Sequence, residues 1–325
     1  FNKWKKMLNT AIIGLGWWGR THIEAIVGKS EKVKIRQLVD INIESARDYA
    51  IEKNIHLSSD YQDALDNPEI DAVVLVTPHS LHTKQIIEAA KAGKHVFTEK
   101  PFALNVKDAI RSVEAAKEAN IHLGLGHNLR YSAPQIEIKR MIDTGELGTI
   151  LHIEGNISHS TLSGFVSWRH DPNEAPGGGL YHMGSHFIDL FSHYLGPITE
   201  IYAQTLDLIQ PLDTASALLT FESGASAYIG NIMVTQSNRM MNVFGSKGWA
   251  KVLGLDTIEI EKTDGSSETR KVDAVNVVKA NMEGFADAIS GVSKYKFTTD
   301  EMIHDVAVLE ALERSLKSGK RETVT

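Results

Sequence analysis

Along the first 125 residues, apolar positions fall into short runs separated by amphipathic stretches. Thr10–Gly14 (TAIIG) and Ala72–Val76 (AVVLV) are continuous apolar runs, the pattern of strands covered on both faces. Val33–Val39 is a β-rich run that ends in Asp40, and His95–Phe97 and Ile121–Leu125 are shorter strand-like runs. The segment after Trp17, Ile43–Lys53, Thr83–Ala92 and Val106–Ala119 instead place apolar residues at helical spacing, with Gly93 positioned to close one of them. Strands alternating with helices predict an α/β unit built on a doubly wound parallel sheet with right-handed crossovers.

The rhythm then changes. Tyr131–Thr144 reads as a helix and Thr149–His159 alternates as a strand. A polar stretch, Ser160–Pro176, leads into Gly177-Gly178-Gly179 and a helical pattern through Leu195. Ile198–Thr205, Ala215–Phe221, Ala225–Val234, Met241–Gly245 and Ala250–Leu253 follow as strand-like runs without helices between them, and helical patterns return at Val277–Ser290 and Thr299–Ser318. Consecutive strands predict a large, mostly antiparallel open sheet in a second α/β domain. The expected division is 1–128 and 129–325.

The chain has 325 residues, 42 % of them hydrophobic and 23 % charged, enough for two ordinary cores. A formal net charge of −7 argues against a nucleic-acid surface. The absence of cysteine removes disulfides, thiolate metal sites and cysteine nucleophiles, and fits a reducing compartment. No apolar run reaches the ~20 residues of a membrane span. The basic start, Phe1 to Lys6, precedes only a short apolar run, unlike a secretory signal. The expectation is a cytoplasmic protein without a membrane or nucleic-acid partner.

Gly14-Leu15-Gly16-Trp17-Trp18-Gly19 follows a predicted strand and opens a predicted helix. Gly14 suits the tight turn, Gly16 lets the backbone approach a pyrophosphate, and Gly19 lets the helix pack close to the strand, as in a Rossmann dinucleotide site. Asp40 stands where a carboxylate accepts hydrogen bonds from a ribose and repels a 2′-phosphate, so NAD is expected over NADP. Trp17 and Trp18 are bulky for such a turn; packing or shielding of the cofactor both suit them.

Two further motifs, Thr98-Glu99-Lys100-Pro101 and Trp168-Arg169-His170-Asp171-Pro172, precede GGGLYHMGSHFIDL at Gly177–Leu190. With Arg130-Tyr131 and the terminal helices, they resemble the glucose–fructose oxidoreductase, inositol dehydrogenase and rhizopine catabolism family over nearly the whole chain. The resemblance implies a Rossmann domain, a sheet domain that builds homodimers or homotetramers, a Glu-Lys-Pro segment often with a cis Lys–Pro bond, no metal, and a sugar, inositol or related polyol as substrate.

Oxidation of a secondary alcohol moves a hydride to nicotinamide C4 and a proton to a base. A lysine ammonium stabilises charge on the reacting oxygen, and a histidine exchanges the proton near neutral pH. Lys100 and His186 match the family's positions for these roles. Where the family commonly has Asp, four residues before that His, this chain has His182, which brings no fixed negative charge. His182, Tyr131 and Arg169 are candidates for substrate contact. Thr77, Pro78, His79, His82, Glu99, Trp168 and Lys100 itself are candidates for the cofactor, with turn formation or a structural role as the alternative for Thr77, Pro78, His79, His82 and Trp168. His182 and His186 also have His-x3-His metal spacing, but no His-Glu-x-x-His motif accompanies them. The leading expectation is an NAD-dependent dehydrogenase or reductase. An NAD-dependent glycosidase working by transient oxidation, and a non-catalytic dinucleotide sensor, are the alternatives.

Overall fold

The computed structural model describes residues 7–160, 171 and 173–325. Its first stretch runs β1 (Leu8–Ile13), α1 (Trp17–Ile26), β2 (Val33–Val39), α2 (Ile43–Lys53), β3 (His56–Ser58), α3 (Tyr61–Asp66), β4 (Ala72–Leu75), α4 (His82–Lys91), β5 (His95–Thr98), α5 (Val106–Glu118) and β6 (Leu123–Leu125). The six strands form a parallel sheet in the order β3-β2-β1-β4-β5-β6. All four residues of β4 are buried, as its unbroken apolar run requires. The helices α2, α3 and α5 start at side-chain caps: Asn42 accepts from Ser45 N–H, Asp60 from Gln62 N–H and Asn105 from Asp108 N–H.

The second sheet has nine strands. A 3₁₀ turn at Asn128–Tyr131 leads to α6 (Ala133–Asp143) and β7 (Ile150–Ser158); α7 (Ser185–Leu195) follows later. Then come β8 (Ile198–Leu206), β9 (Thr214–Phe221), β10 (Ser226–Ile232), β11 (Asn238–Gly245), β12 (Gly248–Leu253), β13 (Thr257–Lys262) and β14 (Ser267–Lys271). After α8 (Val277–Ile289) and α9 (Thr299–Ser318), the chain ends on β15 (Glu322–Thr323). The order is β14-β13-β12-β11-β7-β10-β9-β8-β15. Only β7 and β10 run parallel; every other neighbouring pair is antiparallel. Phe187 and Phe191 of α7 stack at 5.3 Å, and their rings meet the bare backbone of Gly155 on β7.

The compact units are Phe1–Asn128 with Asn276–Ile303, and Leu129–Val275 with His304–Thr325. The first boundary falls at 128/129, but assigning 129–325 wholly to the second unit misplaces α8. Met282, Phe285 and Ala286 of α8 join Ile12, Ile23, Leu38 and Phe97 in one buried cluster. A Cβ on Gly124 would lie 2.8 Å from both Phe285 and Phe97, so β6 accepts these rings only where it lacks a side chain.

Candidate active site

In the first unit the carboxyl ends of three strands are in register. Ile13 of β1 pairs with Leu75 of β4, and Leu75 pairs with Thr98 of β5. The residues that follow, Gly14, Val76-Thr77 and Glu99-Lys100, therefore emerge side by side. Gly14 and Val76-Thr77 flank the gap between β1 and β4, where the strand order reverses and open α/β sheets bind ligands, and Glu99-Lys100 emerge one strand further along, after β5.

The glycine turn has the geometry its sequence implies. Gly14 has φ +97°, and a Cβ there would lie 2.6 Å from Val76 O. A Cβ on Gly19 would fall 1.9 Å from Gly14 O, so α1 can start this close to β1 only with glycine. Among the described residues nothing lies within 4 Å of the Cβ position of Gly16, which leaves room for a ligand against the backbone. No side chain caps α1 and no acid occupies its first turn. Its first N–H groups and the positive end of its dipole suit the phosphates of a dinucleotide.

Asp40, at the end of β2, accepts from Leu15 N–H at 2.6 Å and from Asn42 N–H at 2.8 Å. Each carboxylate oxygen keeps a further acceptor site for a ribose hydroxyl. Ile41 beside it is 94 % exposed and carries no charge toward a 2′-phosphate. Arg20, which the sequence reading passed over, fastens the turn to α2: it donates to Leu15 O and Ser45 O and lies over the Tyr49 ring.

The remaining candidates in this unit divide by direction. Trp17 is 67 % exposed, whereas Trp18 sets its ring edge-on to the buried His22. His82 is fully buried, with Nδ1 2.9 Å from Pro101 O and Nε2 3.2 Å from Thr77 O. Its ring nitrogens thus lie within hydrogen-bond distance of carbonyls on both the β4 loop and the β5 loop. Pro78 leads the 3₁₀ turn His79–Leu81, and the ring of His79 is buried against His82. The Thr77 hydroxyl donates to Gln85 Oε1 at 2.6 Å. The Lys100–Pro101 bond is cis.

Glu99 is also turned inward. His22 Nε2 lies 2.8 Å from Glu99 Oε1, and the side-chain exposures of the pair are 0 % and 8 %. Burial pushes the Glu99 pKa up, but the hydrogen bond and charge of His22, a hydrogen bond from Trp18 and the charge of Lys100 together hold it below the usual carboxylate value. His22 is a second residue that the sequence reading passed over. Its spacing was legible, because positions 19, 22, 23 and 26 form the buried face of α1.

In the second unit, Leu180–Gly184 forms a π turn that runs directly into α7. His182 lies in the π turn and His186 in the first turn of α7, both half-buried. Four residues are close to one turn of either helix, so the two share a side of the segment. Tyr131 is 8 % exposed. Asp189, one α-helical turn beyond Ser185, is spent on structure: Arg130 Nη2 donates to its Oδ1 at 2.7 Å and Arg130 Nε to its Oδ2 at 3.1 Å, with both side chains fully buried. Trp168 and Arg169 lie outside the described residues. No helix among the described residues is long and apolar enough to cross a membrane.

Residues 8–127 match the model of an oxidoreductase family with an NAD-binding Rossmann fold, and residues 136–251 match the GFO/IDH/MocA C-terminal domain. The chain is 32 % identical over 258 residues to the uncharacterized oxidoreductase YrbE of Bacillus subtilis, covering 75 % of this chain and 73 % of that protein. It is 27 % identical to the myo-inositol 2-dehydrogenase of Thermotoga maritima, covering 74 % of each. The WlbA dehydrogenase of Bordetella pertussis, solved with NADH and UDP-GlcNAcA, superposes with a TM-score of 0.87 at 25 % identity over 99 % of both chains. With both domains matched and the glycine turn, Glu-Lys-Pro segment and nine-stranded sheet in place, the chain belongs to the GFO/IDH/MocA family of NAD-binding oxidoreductases.

Proposed function

We propose that this protein is an NAD-dependent dehydrogenase or reductase that interconverts a secondary alcohol and a ketone on a sugar, inositol or related polyol. The observation that carries the reading is the register of β1, β4 and β5, which sets Lys100 on the same sheet edge as the glycine turn. A dinucleotide laid on that turn brings the chemistry of hydride acceptance and return at nicotinamide C4. Lys100 then donates a hydrogen bond to the reacting oxygen and stabilises its developing negative charge. His186 takes the hydroxyl proton in oxidation and returns it in reduction. His182 contacts the substrate or His186 without the fixed charge an Asp would bring. Asp40 supports NAD over NADP by charge repulsion. The substrate class is supported by relatives named as inositol dehydrogenases and by the levoglucosan dehydrogenase of Pseudarthrobacter phenanthrenivorans, 28 % identical over 235 residues.

The test is a panel of polyols, aldoses, uronates and keto-sugars with NAD and NADP, read by the absorbance of reduced nicotinamide. Net NADH formation with one such alcohol is expected. Product release from a glycoside without net NADH would favour transient oxidation instead.

A further inference from the structure

Three glycines precede the π turn, and each is required by something different. Gly178 has φ +54°, and a Cβ on Gly177 would lie 2.6 Å from Leu312 of α9. Gly179 has an ordinary right-handed helical backbone, φ −62° and ψ −30°, where alanine would be the better helix former by about 1 kcal/mol. The reason for glycine stands opposite it, on β10: a Cβ on Gly179 would lie 1.7 Å from Asn231 Oδ1 and 2.5 Å from Asn231 Cγ. Asn231 is fully buried, and its amide is held in place. Nδ2 donates to Ile157 O on β7, the Asn231 backbone pairs with Ala215 on β9, and the next N–H, of Ile232, donates to Ser158 Oγ at 2.9 Å. Oδ1 has no hydrogen-bond partner among the described residues. A buried acceptor left so costs about 1–3 kcal/mol, which calls for a reason other than stability.

We propose that Asn231 is a positioning residue that seats the start of the π turn and so sets how His182 and His186 are presented. This rests on the reading of His186 as the group that exchanges the substrate proton. Leu180 follows Gly179 directly, and the helical backbone is continuous from Leu180 through the π turn into α7. A displacement of Gly179 is therefore carried along the helix to both imidazoles. A π turn is wound more loosely than an α-helix, so the point where one gives way to the other decides the angle between His182 and His186. Asn231 ties that point to the sheet. Its amide is anchored to β7 through Ile157 O on one side and abuts Gly179 on the other. Asn231 acts through the turn and does not itself touch substrate.

Magnetic resonance of the histidine rings, on the whole protein carrying isotope-labelled histidine, tests this without any substrate. His182→Gln and His186→Gln identify the two signals. Gly179→Ala is expected to move both and to leave the signals of His95 and His122, in the other unit, in place. Adding Asn231→Ala gives the new methyl the space of the lost amide, and is expected to bring both signals back toward their original positions. Asn231→Ala alone removes the seat and is expected to move them too; it decides the matter if Gly179→Ala does not fold. In turnover, Gly179→Ala is expected to lower kcat about tenfold to a hundredfold, with a weaker change in KM and recovery in the double variant. Unmoved His182 and His186 signals in the single variants overturn the proposal, even where the thermal midpoint falls, because that is packing alone. Equal displacement in Gly179→Ala with and without Asn231→Ala overturns it as well. The two readings also separate. Signals that move and return in a protein that turns over no polyol keep the role of Asn231 and sink the proposed function; polyol oxidation with unmoved signals does the reverse.

Discussion

The carboxylate of Asp40 accepts the amide N–H of Leu15 at 2.6 Å, so the residue expected to hold the ribose also holds the glycine turn. The two roles separate by substitution. Asp40→Asn keeps an acceptor for Leu15 but loses the charge, and is expected to narrow the preference for NADH over NADPH with little loss of stability. Asp40→Ala loses both, and is expected to weaken NADH binding tenfold or more, roughly 1.4 kcal/mol. Calorimetric titration of both nucleotides checks this; tighter NADPH than NADH binding by the unaltered protein would overturn the assignment of Asp40.

Removing the side chain of Lys100 is expected to abolish turnover and leave the fold intact, because the lysine is only partly buried. Lys100→Ala should lower kcat by roughly 10²–10³-fold, as for loss of an oxyanion-stabilising donor. NADH affinity and the thermal midpoint should stay near those of the unaltered protein. Normal turnover by this variant would exclude the lysine from the chemistry.

His186→Gln is expected to lower kcat by about 10²-fold or more, the ordinary contribution of a general acid–base group, and to flatten the pH–rate profile near neutrality. His182→Asp restores the residue type common in the family. Its expected signature is a changed pH dependence of turnover. A pH profile identical to that of the unaltered protein would assign His182 to the scaffold.

Asp189→Asn leaves the Arg130 guanidinium buried without its counter-charge. Breaking such a pair from one side costs about 3–5 kcal/mol. Chemical denaturation of the sheet unit should show a clearly lowered midpoint. A loss below about 1 kcal/mol would mean that the pair is hydrated or replaceable, as surface pairs are.

Stability should also depend on pH through His95. Its Nδ1 accepts the backbone N–H of His122 at 3.0 Å, which requires the neutral ring. Burial first, then the charge of His122, push its pKa from 6.5 down to about 4, with Asp71 opposing. As pH falls below 6.5 the unfolded chain takes up a proton that the folded protein refuses. Stability therefore declines from pH 6.5 toward 4 and levels off below. His95→Asn keeps an acceptor oxygen and cannot titrate. The stability gap between the variant and the unaltered protein should shift by about 1–2 kcal/mol over this range, after allowing for the partial exposure of the ring.

What the sequence made legible follows from how each feature is encoded. β4 and the glycine turn are local: an apolar run and three glycines carry them whole. The late strand β14, SETRK, has almost no buried residue and no alternation to read. Its neighbour β13, TIEIEK, does alternate, but the reading of strands stopped at Leu253. The π turn at Leu180–Gly184 looks like helix in any hydropathy pattern, because its extra residue changes hydrogen bonding and not polarity. The inward turn of Glu99 was hidden because its partners His22 and Gly126 are distant in sequence. The return of α8 to the first unit was hidden for the same reason: Phe285 meets Phe97 and Gly124 only in three dimensions.

That return ties the timing of synthesis to stability. Until residues 276–303 have emerged, the face of β6 and Phe97 that Phe285 covers stays wet. β7, made early, waits for β10 and β11, more than 60 residues downstream, to become its neighbours. Each unit thus closes only with chain made late, and such non-local closure slows folding and prolongs exposure of apolar surface. Two units at equilibrium, the chain is expected to behave as one during biogenesis. Nascent chains stalled before residue 276 should bind hydrophobic dyes and yield to protease in the first unit, whereas full-length chains should resist.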